Sequence, residues 1–250
     1  MFTTRGAKIL DGTPNYLVME EIGEIESAKH FEEVLNELKK YVIEKDIQSV
    51  SIILNEQQAA DASYIELLEK FSFQIQDTQF FYRRQLSALE DMEIKAPLSV
   101  KSLEEITDAV FLKTWMDASA GSLNASAPFT SLSAQKEFEG MQSELGAGYQ
   151  KSCLVIFYGD QAIGVTMPQI EQGIVDEGRL FYFGLIPAFR GLGWGAYLHK
   201  LSLQLLKQMG AEYYIGATGQ HNIPMQRIFE ANACELIERK FIYRLKDGVK

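Results

Sequence analysis

Apolar positions along this chain change their spacing several times, and each change marks an element. Phe31, Val34, Leu35, Leu38 and Val42 recur at helical spacing and predict an amphipathic helix. Strand-like runs at residues 16–19 and 49–54 bracket it, and a second helix is expected over residues 63–71. Ile106, Val110, Phe111 and Trp115 predict another helix over residues 102–118, followed by a shorter one around 134–145. The run LVIFYGDQAIGVTMPQI reads as two strands joined at Gly159-Asp160, a hairpin signal. A third strand at 179–186 leads into PAFRGLGWG and then a helix carrying Tyr197, Leu198, Leu201 and Leu205 on one side. The chain closes with a strand at 212–217, a helix at 224–231 and a strand at 240–245.

The stretch SALEDMEIKAP, residues 87–97, is polar, acidic and ended by proline, so a boundary is expected there, giving units 1–95 and 97–250. The first unit repeats the last part of the second in shortened form. Residues 73–82 and 234–243 have equal length, and FFYRR matches FIYRL in apolar and basic positions, the pattern of a divergent internal duplication. The plainer alternative is that any strand and helix of similar length look alike.

Composition narrows the class. With 46% hydrophobic and 23% charged residues the chain can bury a substantial core. No stretch approaches the roughly 18 consecutive apolar residues of a membrane span, no secretory leader pattern opens the chain, and a cytoplasmic protein is expected. Cys153 and Cys234 form no disulfide or zinc spacing, and no metal site is expected. A formal net charge of -10 argues against nucleic acid and anionic membranes as partners. The acidity is concentrated early: residues 1–96 hold 10 Lys+Arg against 18 Asp+Glu, and residues 97–250 hold 14 against 16.

The most informative segment is the strand-to-helix junction carrying Arg190, Gly191, Gly193, Trp194, Gly195 and Ala196. Glycines let main-chain amides approach an anion, and a helix start adds partial positive charge, so the loop suits a pyrophosphate with Arg190 at its rim. GLGWGA also fits a Gly-x-Gly-x-x-Ala dinucleotide loop. That fold needs an acidic residue at the end of the next strand, but EYYIGATG ends without one, and about sixty residues are too few for a doubly wound sheet.

Arg190, Gly193 and Gly195 as Arg-x-x-Gly-x-Gly, within this element order, resemble the CoA-pyrophosphate motif of GNAT acyltransferases over residues 99–246. NIPMQRIFEANAC is similar to that family's Asn-x-x-Ala-x-x-x-Tyr-x-x-x-Gly-Phe helix, which places Asn222 on the family's asparagine and Phe229 on its tyrosine. The resemblance implies an α/β fold of mixed, α+β type. It would consist of two GNAT-like units, each a mostly antiparallel sheet flanked by helices, the second complete. It implies acetyl-CoA as cosubstrate, Leu185, Ile186 and Pro187 exposing backbone to the pantetheine arm, and Asn222 and Phe229 near the thiol end. A small polar or cationic primary amine would be the acceptor, with a homodimer as an open assembly. The first unit has Glu20, Glu21, Glu24 and Glu26 where phosphate-binding glycines would stand, and is not expected to bind CoA.

Direct acyl transfer needs a neutral amine, a polarised thioester and a proton donor for the departing thiolate. Phe229 cannot donate a proton, unlike the tyrosine it replaces. Candidate replacements are His221, Tyr182, and Tyr213 or Tyr214, with Glu177, Glu171 or Asp176 as a base acting through water. His30 and His199 are expected to be surface or packing residues. Residues 119–133, rich in Ser, Ala and Asn, are expected to frame the acceptor or to be a plain loop. The competing class is a non-catalytic CoA-binding protein, which the phenylalanine at 229 would suit.

Overall fold

The computed structural model describes residues 7–20, 22, 25, 27–94, 96–124 and 131–246, with backbone alone at 131–133. It is a mixed α/β protein whose contacts divide the chain into two compact units, Met1–Phe81 with Ile237–Lys250, and Tyr82–Leu236. Among the described residues no helix is long and apolar enough to cross a membrane.

The first unit opens with an antiparallel pair, β1 (Lys8–Gly12) and β2 (Tyr16–Glu20). Helix α1 (Ala28–Glu44) carries the chain from β2 to β3 (Ser49–Leu54), and the two strands pair in parallel. This is a strand–helix–strand crossover of the usual kind. Ser27 caps α1 by accepting from the His30 amide, and the helix buries Phe31, Val34, Leu35, Leu38 and Val42, the face predicted from spacing. They pack on Leu17, Met19, Val50, Ile52 and Leu54, and each fully buried side chain stabilises by about 1.5–3 kcal/mol. Two short helices follow, α2 (Glu56–Ala60) and α3 (Ala62–Lys70), then β4 (Phe73–Gln85). In the expected acidic cluster, Glu20 pairs with Lys8 at 2.8 Å, and Glu21, Glu24 and Glu26 lie outside the described residues.

In the second unit β5 (Leu98–Ser102), β6 (Leu154–Tyr158), β7 (Gln161–Ile170) and β8 (Glu177–Leu185) form an antiparallel run. Helices α4 (Asp108–Ser119), α5 (Ser131–Leu145) and α6 (Tyr149–Ser152) fall between β5 and β6. Phe111 and Trp115 of α4 share a core with Phe138, Met141, Cys153, Val155, Val165 and Met167. Helix α4 starts later than its apolar spacing suggested. Thr107 caps it, and the Ser102 amide is held by Glu105 in a turn of its own. After β8 come α7 (Trp194–Gln208), β9 (Tyr213–Gly219), α8 (Ile223–Ala231) and β10 (Glu235–Leu245).

The compact division departs from the boundary expected at residues 95–97. The last strand, from Ile237 on, belongs to the first unit because β10 pairs antiparallel with β3, Phe241 opposite Leu54, and seats Tyr243 in that unit's core. Tyr82 falls in the second unit, its ring 4.6 Å from that of Phe229. A fragment of residues 1–96 therefore lacks the strand that covers β3, and it should show no cooperative thermal transition by circular dichroism. A sharp two-state melt of that fragment would contradict the assignment of β10.

Candidate functional site

Parallel strands β8 and β9 are registered only at their starts, Glu177 with Tyr213 and Gly178 with Tyr214. Beyond that point they part, and residues 180–185 of β8 and 214–217 of β9 line a cleft of about 890 Å³. A bulge in the β7–β8 ladder at this level, where Thr166 faces Phe183 but Pro168 faces Leu180, bends β8 further. Main-chain groups on parted strand edges are open to a ligand with amides of its own.

One end of the cleft is the glycine loop. Pro187–Phe189 forms a single 3-10 turn, after which Gly191 and Gly193 adopt φ of 74° and 85°. A side chain at such φ costs about 1–2 kcal/mol, and nothing lies within 4 Å of where a Cβ would stand at either position. Gly193 is the N-cap of α7 and supplies no side-chain bond, so the first-turn amides have no helical or capping partner. Gly195 serves another purpose: a Cβ there would come within 2.7 Å of Ile228 Cδ1, so its absence lets α7 approach α8.

Several sequence expectations shift in detail. Arg190 is not a free rim charge. Its Nε donates to the Leu185 carbonyl at 2.9 Å and its Nη2 to the Ala118 carbonyl at 2.8 Å, so it ties the loop to the end of α4. Trp194 contributes its amide, but its ring packs against Tyr158 at 5.5 Å and Tyr197 at 6.2 Å, and the residue is not on the cleft wall. Leu185 and Ala196 line the cleft, whereas Ile186 and Pro187 do not. The Ile186 amide is taken by the Ile163 carbonyl and the Leu185 carbonyl by Arg190.

The opposite wall is α8. Asn222 caps it through Oδ1 to the Met225 amide and donates from Nδ2 to Asn124 Oδ1 at 3.1 Å. Asn124 also bonds Thr218. Residues 118–124 thus form a strap held by Arg190 at one end and Asn222 at the other. Of the rest of the expected acceptor segment, residues 125–130 lie outside the described residues and 131–133 begin α5. Phe229 is fully buried and forms part of the cleft floor. The charged side chains on the described wall are Arg179, Arg190 and Arg227, with no carboxylate among them. Arg179 is paired with Glu177 and Glu171, so in a chain of net charge -10 the positive charge of the cleft rests on Arg190 and Arg227.

Of the three residues favoured for catalysis, only Tyr182 faces the cleft, its hydroxyl 3.0 Å from Ser119 Oγ. Burial pushes its phenol up, against smaller lowering by Ser119 and Arg190. Glu177 is buried off the wall, bonded by Arg179 and by the Tyr213 hydroxyl at 3.1 Å. Arg179 also lies 3.5 Å from Glu171. His221 is exposed beside Gln220 and is not on the wall. The structure adds His199, fully buried beneath the floor with Tyr214. Its ring stacks edge-on with Phe183, Tyr214 and Phe229. Its position was legible in part, because His199, Ser202 and Leu206 follow one helical stripe.

Burial lowers the His199 imidazole to about 3, leaving it neutral. As pH falls below 6.5 the unfolded chain takes up a proton that the folded chain refuses until about pH 3. Stability present above pH 6.5 is lost progressively through that window, by about 2 kcal/mol at pH 5. Urea denaturation at pH 7 and pH 5 should show this loss, and His199→Gln should lack most of it. Equal losses in both proteins would refute the neutral buried imidazole.

Residues 115–233 match the family model described as Acetyltransferase (GNAT) family. No protein with a curated description matches the sequence. Solved structures of similar fold include a GCN5-related N-acetyltransferase from Sphaerobacter thermophilus, at 13% identity and TM-score 0.65, covering 95% of this chain and 75% of that one. One from Kribbella flavida has 15% identity and TM-score 0.61, covering 98% and 91%. A tandem GNAT protein from the clavulanic acid biosynthesis pathway has 13% identity and TM-score 0.60, covering 95% and 77%. At these identities the likeness is one of fold.

Proposed function

We propose, from the match of residues 115–233 to the GNAT acetyltransferase family model, that this chain transfers an acetyl group from acetyl-CoA to a primary amine. The acceptor is a small polar molecule, and the amine attacks the thioester directly. The observation that carries this reading is the uncapped start of α7, where two left-handed glycines open its amides onto the cleft. A diphosphate there completes the helix cap that no side chain supplies. The parted edges of β8 and β9 suit the amides of a pantetheine arm, directing a thioester toward the floor at Phe229 and Tyr214.

Holding both substrates in one cleft supplies effective molarity, so no covalent enzyme intermediate is required. Cys153 and Cys234 fit this reading, since burial pushes each thiol up to about 12 and leaves neither a competent nucleophile. The arginine-only wall favours a neutral or polar acceptor over a strongly cationic one. Transfer is assigned to the second unit, to which every wall residue belongs. The reading includes a cytoplasmic protein, supported by two unpaired, buried cysteines, and it is compatible with a homodimer.

The second reading, a CoA-binding protein without turnover, is favoured by one observation: Phe229 has no proton to give. Calorimetry with acetyl-CoA and thioester cleavage against polyamines, amino acids and aminoglycosides separate the two. Acetylation of at least one amine is expected; tight binding with no turnover across the panel would favour the second reading. Gly193→Glu should weaken acetyl-CoA binding at least about 100-fold, since it adds a carboxylate where a diphosphate would sit. Unchanged affinity in a folded Gly193→Glu protein would overturn the phosphate assignment.

A further inference from the structure

A chain of oriented hydrogen bonds runs under the cleft floor and ends on one hydroxyl. It starts at the Ala196 carbonyl in the first turn of α7, which can only accept. Asn232 Nδ2 donates to it at 2.9 Å, which fixes the orientation of that amide. The same nitrogen lies 3.0 Å from His199 Nδ1, so its second hydrogen points there and Nδ1 is the accepting nitrogen. His199 is neutral, as its complete burial requires, and its single proton is therefore on Nε2. Nε2 lies 3.4 Å from the Tyr214 hydroxyl and donates to it. The proton of Tyr214 is left free to point elsewhere, with no other partner for that oxygen among the described residues.

The position of this hydroxyl matters as much as its orientation. A Cβ on Gly216 would come within 2.2 Å of Tyr214 Oη, so the hydroxyl lies directly on the backbone of β9 at a residue that lines the cleft. The Tyr214 ring is 6.3 Å from that of Phe229, whose Cε1 borders the same spot. The neighbouring phenols, Tyr182 on the cleft wall and Tyr213 off it, are engaged differently. Tyr213 gives its proton to Glu177, and Tyr182 shares a bond with Ser119.

We infer that Tyr214 is the proton donor to the departing CoA thiolate, with His199 and Asn232 as positioning residues that orient it. The inference rests on the acetyl-CoA reading above. In the step, the amine nitrogen bonds to the thioester carbonyl carbon, the C–S bond breaks with its electron pair going to sulfur, and the Tyr214 proton transfers to sulfur to give free CoA thiol. The resulting tyrosinate is held by the His199 Nε2–H and is reprotonated from solvent, which has taken the surplus proton of the amine. The hydroxyl that Phe229 lacks on the helix is thus supplied from the neighbouring strand.

The test follows the sulfur itself, so it needs no acceptor. Free CoA is bound to the full-length protein, and its thiolate is followed by ultraviolet absorbance as a function of pH, alongside the dissociation constant. Tyr214→Phe keeps the ring and its packing; it should bind CoA within about 2-fold of wild type yet ionise the bound thiol at higher pH. With an active amine, it should lower kcat about 100-fold with little change in KM. Adding Phe229→Tyr to Tyr214→Phe should restore both readouts in large part. His199→Gln, which retains an N–H donor, should keep more of the effect than His199→Leu. CoA bound with unchanged thiol ionisation in Tyr214→Phe, or a shift seen in Tyr182→Phe instead, would overturn this inference alone. Failure of the wild-type protein to bind CoA would overturn the acetyl-CoA reading and take this one with it.

Discussion

The first amides of an α-helix have no acceptor within the helix, and at α7 the protein does nothing with side chains to supply one. That omission governs the surrounding sequence. Gly193 must be glycine because the N-cap residue has a left-handed φ, and Gly191 likewise, while the open space beside both leaves room for an anion. An exposed helix start of this kind carries partial positive charge, reinforced by arginines in a chain that is otherwise strongly acidic. On the proposed reading, a bound diphosphate would satisfy groups that the protein leaves open.

Holding such a loop in shape takes rigid neighbours. Arg190 fastens it to Leu185 and Ala118, and the missing Cβ of Gly195 brings α8 against α7. Asn232, at the end of α8, reaches back to the Ala196 carbonyl and to His199 one turn along. The glycine-loop end and the floor of the cleft therefore share one set of supports. A change at the α7–α8 contact is felt at both.

Much of this was legible in the residues, and the parts that were not have physical reasons. The helical stripe of α1 appeared residue for residue because one face meets a sheet and the other meets water. The face of α7 was read too narrowly, since the helix is buried on more of its circumference and includes His199, Ser202 and Gln204. A buried histidine and a solvent-facing one look identical in sequence; only the bonds from Asn232 and to Tyr214 distinguish them. The glycine loop was found from its composition, but its division of labour was not, because Gly191 and Gly193 answer to backbone angle and Gly195 to a neighbour far along the chain. His221 and Glu177 were singled out for chemical type, and three-dimensional placement puts neither on the cleft wall. The unit boundary suffered from the same blindness to distant pairing, since β10 belongs with β3 across nearly two hundred residues of sequence.

A crystal structure of the protein with acetyl-CoA bears most directly on the central claim. The diphosphate should lie within hydrogen-bonding distance of the main-chain amides between Gly191 and Ala196, with the pantetheine arm between β8 and β9. Density for the diphosphate anywhere else, with those amides facing solvent, would contradict the account.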